Sequence, residues 1–237
     1  MEIGIIEAPT VKQLFVEKIA GMIINGELKP GMRLPSEREL AAQARISKSA
    51  VHFAMAELER LGFVETNARH GTYVADYAKT GTIETLSLLV TLNSGQGFMD
   101  RSRMEDMMEM RIAIEGKAVE RLSEKINDAD IAILSEDIAK SEQAALSGDI
   151  HSLARTFFDF HHDICFLSGN TILPLLFNSF RTVTLSYWEY AVRRLGSGAC
   201  LSLQKDLFAV LKTKDAEASK SFLKEQLRMF MDMNRIG

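Results

Sequence analysis

Cysteine is scarce: only Cys165 and Cys200 occur in 237 residues. Two cysteines make no disulfide framework, and Cys165 lies in an apolar helical segment where a thiol behaves as a small buried hydrophobe. No apolar run approaches the length that spans a bilayer, and Met1–Thr10 lacks the charged-then-apolar pattern of a secretory leader. The expectation is a cytoplasmic protein with no membrane partner. Excess positive charge is missing too: 28 Lys and Arg stand against 32 Asp and Glu, a net charge of -4. Catalytic signatures are equally absent. There is no Glu-x-x-His pair of the kind a di-iron bundle needs, no glycine-rich phosphate loop and no Gly-x-Ser-x-Gly elbow. A helical-bundle enzyme is therefore the weaker alternative.

What is present is concentrated between Gly26 and Val74. Ser36 and Glu39 form a Ser-x-x-Glu capping box after Pro35, so a helix starts there. Leu40 and Ala41 give it an inward face, and it runs out at Ala44–Arg45. Ile46 is the apolar plug of a tight turn. Ser47 then caps a second helix whose inward face is Val51, Met55, Leu58 and Leu61, and Gly62 stops it. Phe63–Val64 and Thr72–Val74 read as short strands around a polar turn. Helix, turn, helix and hairpin in so short a span predict a winged helix-turn-helix. The local charge suits DNA. Between Lys29 and Ala56, Lys29, Arg33, Arg38, Arg45 and Lys48 face only Glu37 and Glu39, and a local basic surface is enough to displace counterions from a duplex. A preceding helix is expected from Thr10 to about Asn25. Its capping box is Thr10 with Gln13, and its apolar stripe is Leu14, Phe15, Ile19, Met22 and Ile23.

The blocks LPSEREL, ISKSAV, LERLGFVET and HGTYV, in that order, resemble the DNA-binding domain of the GntR family of bacterial transcription regulators. The resemblance covers roughly residues 10–76. It implies that Arg38, Lys48, Ser49 and His52 approach bases or phosphates, and that His70 and Gly71 reach the minor groove or backbone from the wing. Lys48 and His52 stand where the family usually has Arg. Arg69 stands where the wing often has Gly, so the wing backbone is expected to differ locally.

After a short polar joint at Ala78–Gly81 the chain reads as helix throughout. The expected segments are Thr82–Leu92, Asp100–Ser123, Asp128–Leu146, Asp149–Leu167, Leu173–Arg194, Leu201–Lys212 and Asp215–Met233. The expected architecture is mainly α: a winged helix-turn-helix domain at 1–77 and an antiparallel all-helical bundle at 82–237. Within the bundle, helical spacing places polar residues on apolar faces. His161 lies with Leu153, Phe157 and Ile164; Gln204 with Leu207 and Leu211; Gln226 with Leu223 and Phe230. Arg111 lies among Met107, Met108 and Ile114, with Glu115 one turn on as an alternative local partner. An unpartnered buried polar group costs roughly 1–3 kcal/mol, so four such helices suggest a shared polar cavity.

The helical half is similar to the FCD domain of the FadR-like branch of the same family. Arg111 and Glu115, FHHDICFLSGN at Phe160–Asn170 and LKTKDAEA at Leu211–Ala218 carry the likeness. Many such domains hold a metal through an Asp and three His. The corresponding positions here are Phe157, His161, Gln204 and Gln226. Phe cannot ligate and an amide oxygen is a weak ligand for a transition metal, so no metal and no cofactor are expected. Arg111, Phe157, His161, Gln204 and Gln226 would then meet an effector directly, an organic anion or acyl compound. What the resemblance implies is a homodimeric, ligand-responsive transcription regulator on a palindromic operator, in the commonest case a repressor released by its effector. The alternative within the family is a metal-binding regulator that responds to a small carboxylate.

Overall fold

The computed structural model describes residues 9–93 and 101–233. The expected helix start at Asp100 and the side chains of Met104 and Phe230 lie outside the described residues. The chain divides into two compact units, 1–92 and 93–237.

In the first unit, α1 (Val11–Ile24) begins where Thr10 and Gln13 complete their capping box. Phe15, Ile19 and Ile23, four apart, point into the core with Val16, Ala20 and Ile24. Leu14, expected in this stripe, falls on the outer flank and is exposed. The second helix, α2 (Glu37–Ala44), starts at the Ser36–Glu39 capping box, and Arg45 ends it in the left-handed region at φ 54°. Ser47 caps α3 (Lys48–Arg60) by accepting from the Ala50 amide at 3.2 Å. Val51, Ala54, Met55, Leu58 and Leu61 are buried on its inner side, and Ile46 packs against the same core. Gly62 follows at φ 73°, where a β-carbon would come within 2.4 Å of the Thr80 carbonyl oxygen. The turn there therefore requires glycine.

Strands β1 (Val64–Asn67) and β2 (Gly71–Val74) pair antiparallel, with Val64 opposite Val74. A run at 31–34 continues this ribbon, a pairing not anticipated from the sequence. Gly31 N donates to Val74 O at 2.8 Å, Val74 N to Met32 O at 2.9 Å, and Leu34 N to Thr72 O at 2.9 Å. At the wing tip Arg69 adopts φ 70°. A left-handed backbone is uncommon for a residue other than glycine.

The joint expected at Ala78–Gly81 is a helical turn, α4 (Tyr77–Thr80), and Thr80 Oγ1 donates to Gly62 O at 2.7 Å. It leads into α5 (Ile83–Asn93). The sequence placed this helix in the bundle, beginning a domain at residue 82; the structure groups it with the first unit. The cause is specific contact. Leu88, Leu89 and Leu92 pack on the reader's core, Thr85 Oγ1 donates to Leu61 O at 2.5 Å, and Arg60 pairs with Glu84.

The second unit contains α6 (Arg101–Ser123), α7 (Asp128–Ser147), α8 (Ile150–Leu167), α9 (Leu173–Ser179), α10 (Arg181–Leu195), α11 (Ser197–Leu211) and α12 (Ala216–Met233). The segment expected as one helix over Leu173–Arg194 is two, broken where Phe180 leaves helical geometry at φ -100°, ψ 14°. The helix expected from Leu201 starts earlier, after Gly196 at φ 88°. Helix α8 is the hub, packing on α6, α7, α9 and α10. Accordingly Leu153, Ala154, Phe157, Phe158, Phe160, His161, Ile164 and Cys165 are all buried along it, forming a broad apolar stripe. Among the described residues no helix is long and apolar enough to cross a membrane.

Candidate DNA reader and effector site

The reader surface is built by caps. Ser36 and Ser47 fix where α2 and α3 begin, so Arg38 lies in the first turn of α2 and Lys48 and Ser49 in the first turn of α3, all three exposed. His52 follows one turn after Lys48 on the same outer face. Its Nδ1 lies 2.9 Å from Glu37 Oε1, a partner on α2 that the sequence did not reveal. His70 is exposed at the wing, and Gly71 beside it adopts φ 104°. The wing contact of Arg33 and the exposure of Phe53 were not foreseen from the sequence. The Arg33 guanidinium lies against Gly71, where a β-carbon would sit 3.1 Å from its Nε. Phe53, next to His52, is exposed. A groove of about 710 Å³ runs between the wing base and α2, lined among others by Arg33, Ser36, Gln43 and Thr72.

In the bundle, Arg111 on α6 is only 2% exposed. Its Nε donates to Glu115 Oε1 at 2.5 Å and its Nη2 to Oε2 at 3.2 Å. The local partner considered from sequence is thus present. The guanidinium also lies 4.6 Å from the Tyr187 ring centre and 5.7 Å from that of Trp188, in cation–π contact. From α8, His161 Nδ1 approaches Glu115 Oε2 to 2.8 Å, in a direction that leaves Nδ1 without an aligned hydrogen bond. Burial alone would push the Glu115 carboxyl up, but Arg111 and then His161 outweigh it and hold it at about 2. Burial likewise opposes the Arg111 charge and is overcome by Glu115. The result is a locked ion pair deep in the core, with Arg111 Nη1 unused.

Phe157 is fully buried, its ring 4.8 Å from Trp188, which is itself 5.5 Å from the His161 ring. The structure therefore brings Arg111, Phe157 and His161 together around Trp188. Gln204 lies on α11 one turn beyond the buried Cys200. Gln204 is buried, and neither its Nε2 nor its Oε1 has a partner. Gln226 differs: half-buried on α12, its Nε2 donates to the Leu203 carbonyl oxygen at 2.7 Å, tying α12 to α11. One imidazole, two amides and a phenyl ring do not fit a transition metal. Among the described residues no cluster of three His, Cys, Asp or Glu is arranged to hold one. Burial raises both thiols, Cys200 to about 11, so neither is a ready nucleophile.

A winged helix-turn-helix followed by an all-helical domain is the architecture of a DNA-binding regulator. The family model described as "Bacterial regulatory proteins, gntR family" matches residues 12–74, and that of the "FCD domain" matches 106–229. The chain belongs to the GntR family, with an FCD domain as its second half; it is a transcription regulator rather than an enzyme. It is 29% identical to the HTH-type transcriptional regulator LutR of Bacillus subtilis, over 69% of this chain and 71% of that protein. It is 28% identical to the Glc operon transcriptional activator of Escherichia coli K12, over 73% of this chain and 70% of that one. A solved structure described as Lar, which controls the Listeria monocytogenes agr system, shares the fold with a TM-score of 0.64 at 15% identity, over 98% of this chain and 100% of that chain.

Proposed function

We propose that this protein is a ligand-responsive regulator whose α2, α3 and wing read a palindromic operator and whose bundle core takes an organic anion or acyl effector. Arg38, Lys48, Ser49 and His52 supply the major-groove and phosphate contacts; His70 and Gly71 supply those of the wing. The protein works as a cytoplasmic homodimer, and the effector releases it from a repressed promoter. The observation that carries the effector reading is the set of unused polar groups in the bundle: Arg111 Nη1 and both amide atoms of Gln204. Buried groups of this kind are normally satisfied, and a polar ligand head would satisfy them. Arg111 and Glu115 nearly cancel, so the head is recognised by directed hydrogen bonds more than by net charge. Phe157 and Trp188, both buried, are the apolar neighbours of that head.

Native mass spectrometry of the intact protein tests this, with the recovered small molecule then titrated into an operator-binding assay. Recovery of an organic acid or acyl compound that weakens operator binding is expected. About one tightly bound transition metal per chain and no organic ligand would overturn the effector reading. For the reader, Arg38→Ala and Lys48→Ala should each weaken operator binding by about 1–3 kcal/mol; unchanged affinity in both would reject the assignment.

A further inference from the structure

On α3 the inner stripe Val51, Ala54, Met55 and Leu58 is buried. The opposite stripe, Lys48, Ser49, His52, Phe53 and Ala56, is exposed. Its polar members suit DNA; Phe53 does not fit so simply. It is 63% exposed, and helical spacing sets it one turn beyond Ser49 and beside His52. Its ring centre lies 5.8 Å from that of His52, which is in turn held by Glu37 at 2.9 Å, so the phenyl group is backed by an anchored imidazole. An aromatic side chain without a hydrogen-bonding atom cannot read donors or acceptors, and it gains nothing against a hydrated phosphate. In the major groove only thymine offers it an apolar group, the C5 methyl.

We propose that Phe53 is a specificity-determining residue that packs on thymine C5 methyl groups in each operator half-site. This rests on α3 being the helix that enters the groove. The consequence is a preference for T at one or two positions that Lys48 and His52 do not read, made by methyl burial alone. Burying one methyl-sized group changes affinity by about fourfold.

The experiment uses the full-length protein and duplexes it selects from a random-sequence pool. Deoxyuridine, which lacks only that methyl, replaces thymidine one position at a time, and affinity is measured by fluorescence anisotropy. Wild type should lose about fourfold at one or two thymines per half-site. Phe53→Leu should retain that loss in part, and Phe53→Ala should bind both duplexes alike. Phe53 is exposed, so both variants are expected to fold, and Phe53→Leu carries the same comparison should Phe53→Ala bind too weakly to measure. No sensitive thymine in wild type, or the same loss in wild type and Phe53→Ala, would overturn the proposal. So would a change of oligomeric state in Phe53→Ala without any methyl dependence, which would make the ring a protein contact. If Arg38→Ala and Lys48→Ala still weaken binding in those cases, only the Phe53 assignment fails; if they do not, the reading of α3 fails with it.

Discussion

At Gln204 a buried primary amide has neither its NH2 nor its carbonyl oxygen hydrogen-bonded. Leaving such a group unmatched costs on the order of 1–3 kcal/mol, a cost that a ligand bound as proposed would relieve. Gln204→Leu should therefore raise the melting temperature of the ligand-free protein while abolishing the effector response; a lower melting point with the response intact would make the amide structural. Gln226→Leu should instead lose stability, about 1 kcal/mol, because it breaks the bond to Leu203 O. Asp137 on α7 gives a pH test. Its carboxyl is pushed up from 3.8 to about 6, first by burial and then by the charge of Asp163, with Lys140 at 3.4 Å opposing. A raised carboxyl stabilises the fold only while protonated. That contribution is complete below its ordinary value of 3.8 and is lost as pH rises through about 6. Thermal melts of Asp137→Asn should match wild type near about pH 4 and exceed it above the transition, by on the order of 2 kcal/mol. A constant difference across that range would remove Asp137 as its source.

At the scale of elements, caps and inward stripes were legible because they are local. Ser36 with Glu39 and Ser47 set both reader helices, and Val51, Met55, Leu58 and Leu61 are buried as helical spacing requires. Of the candidate site, the apolar faces brought Arg111, Phe157 and His161 inward, but periodicity could not show that Glu115 would lie between Arg111 and His161. Nor could it show which partner a helix chooses. The stripe of α5 announces a buried face, yet only the fold reveals that Leu88, Leu89 and Leu92 meet the reader core. Phe180 breaks α9 from α10 with neither proline nor glycine to signal it. The α5 docking has a measurable consequence. A fragment of residues 1–93 should melt cooperatively, whereas residues 1–81, lacking Thr85 and the three half-buried leucines, should lose on the order of 3 kcal/mol, about half the full-burial value for each leucine. Equal melting points would show that α5 contributes nothing to the reader.

For the whole molecule, separate cores in the two units mean that the reader can fold without the bundle, while its grip on DNA need not survive alone. With the contacts proposed above, one reader would offer the first turns of two short helices and a wing tip, few contacts for one half-site. A palindromic operator repays two readers held together, since the second half-site is then engaged at the effective concentration set by the linkage and avidity gains about 10²–10⁴. The bundle is the element available to provide that linkage. Residues 1–93, which retain the α5 contacts, should therefore bind the full operator at least about 100-fold more weakly than the intact protein. A single half-site should narrow the gap between them. Sedimentation should show dimers for the intact chain and for residues 94–237, and monomers for residues 1–93. Operator affinity for the fragment equal to that of the intact protein would mean that one reader suffices, and the bundle would be left with effector binding alone.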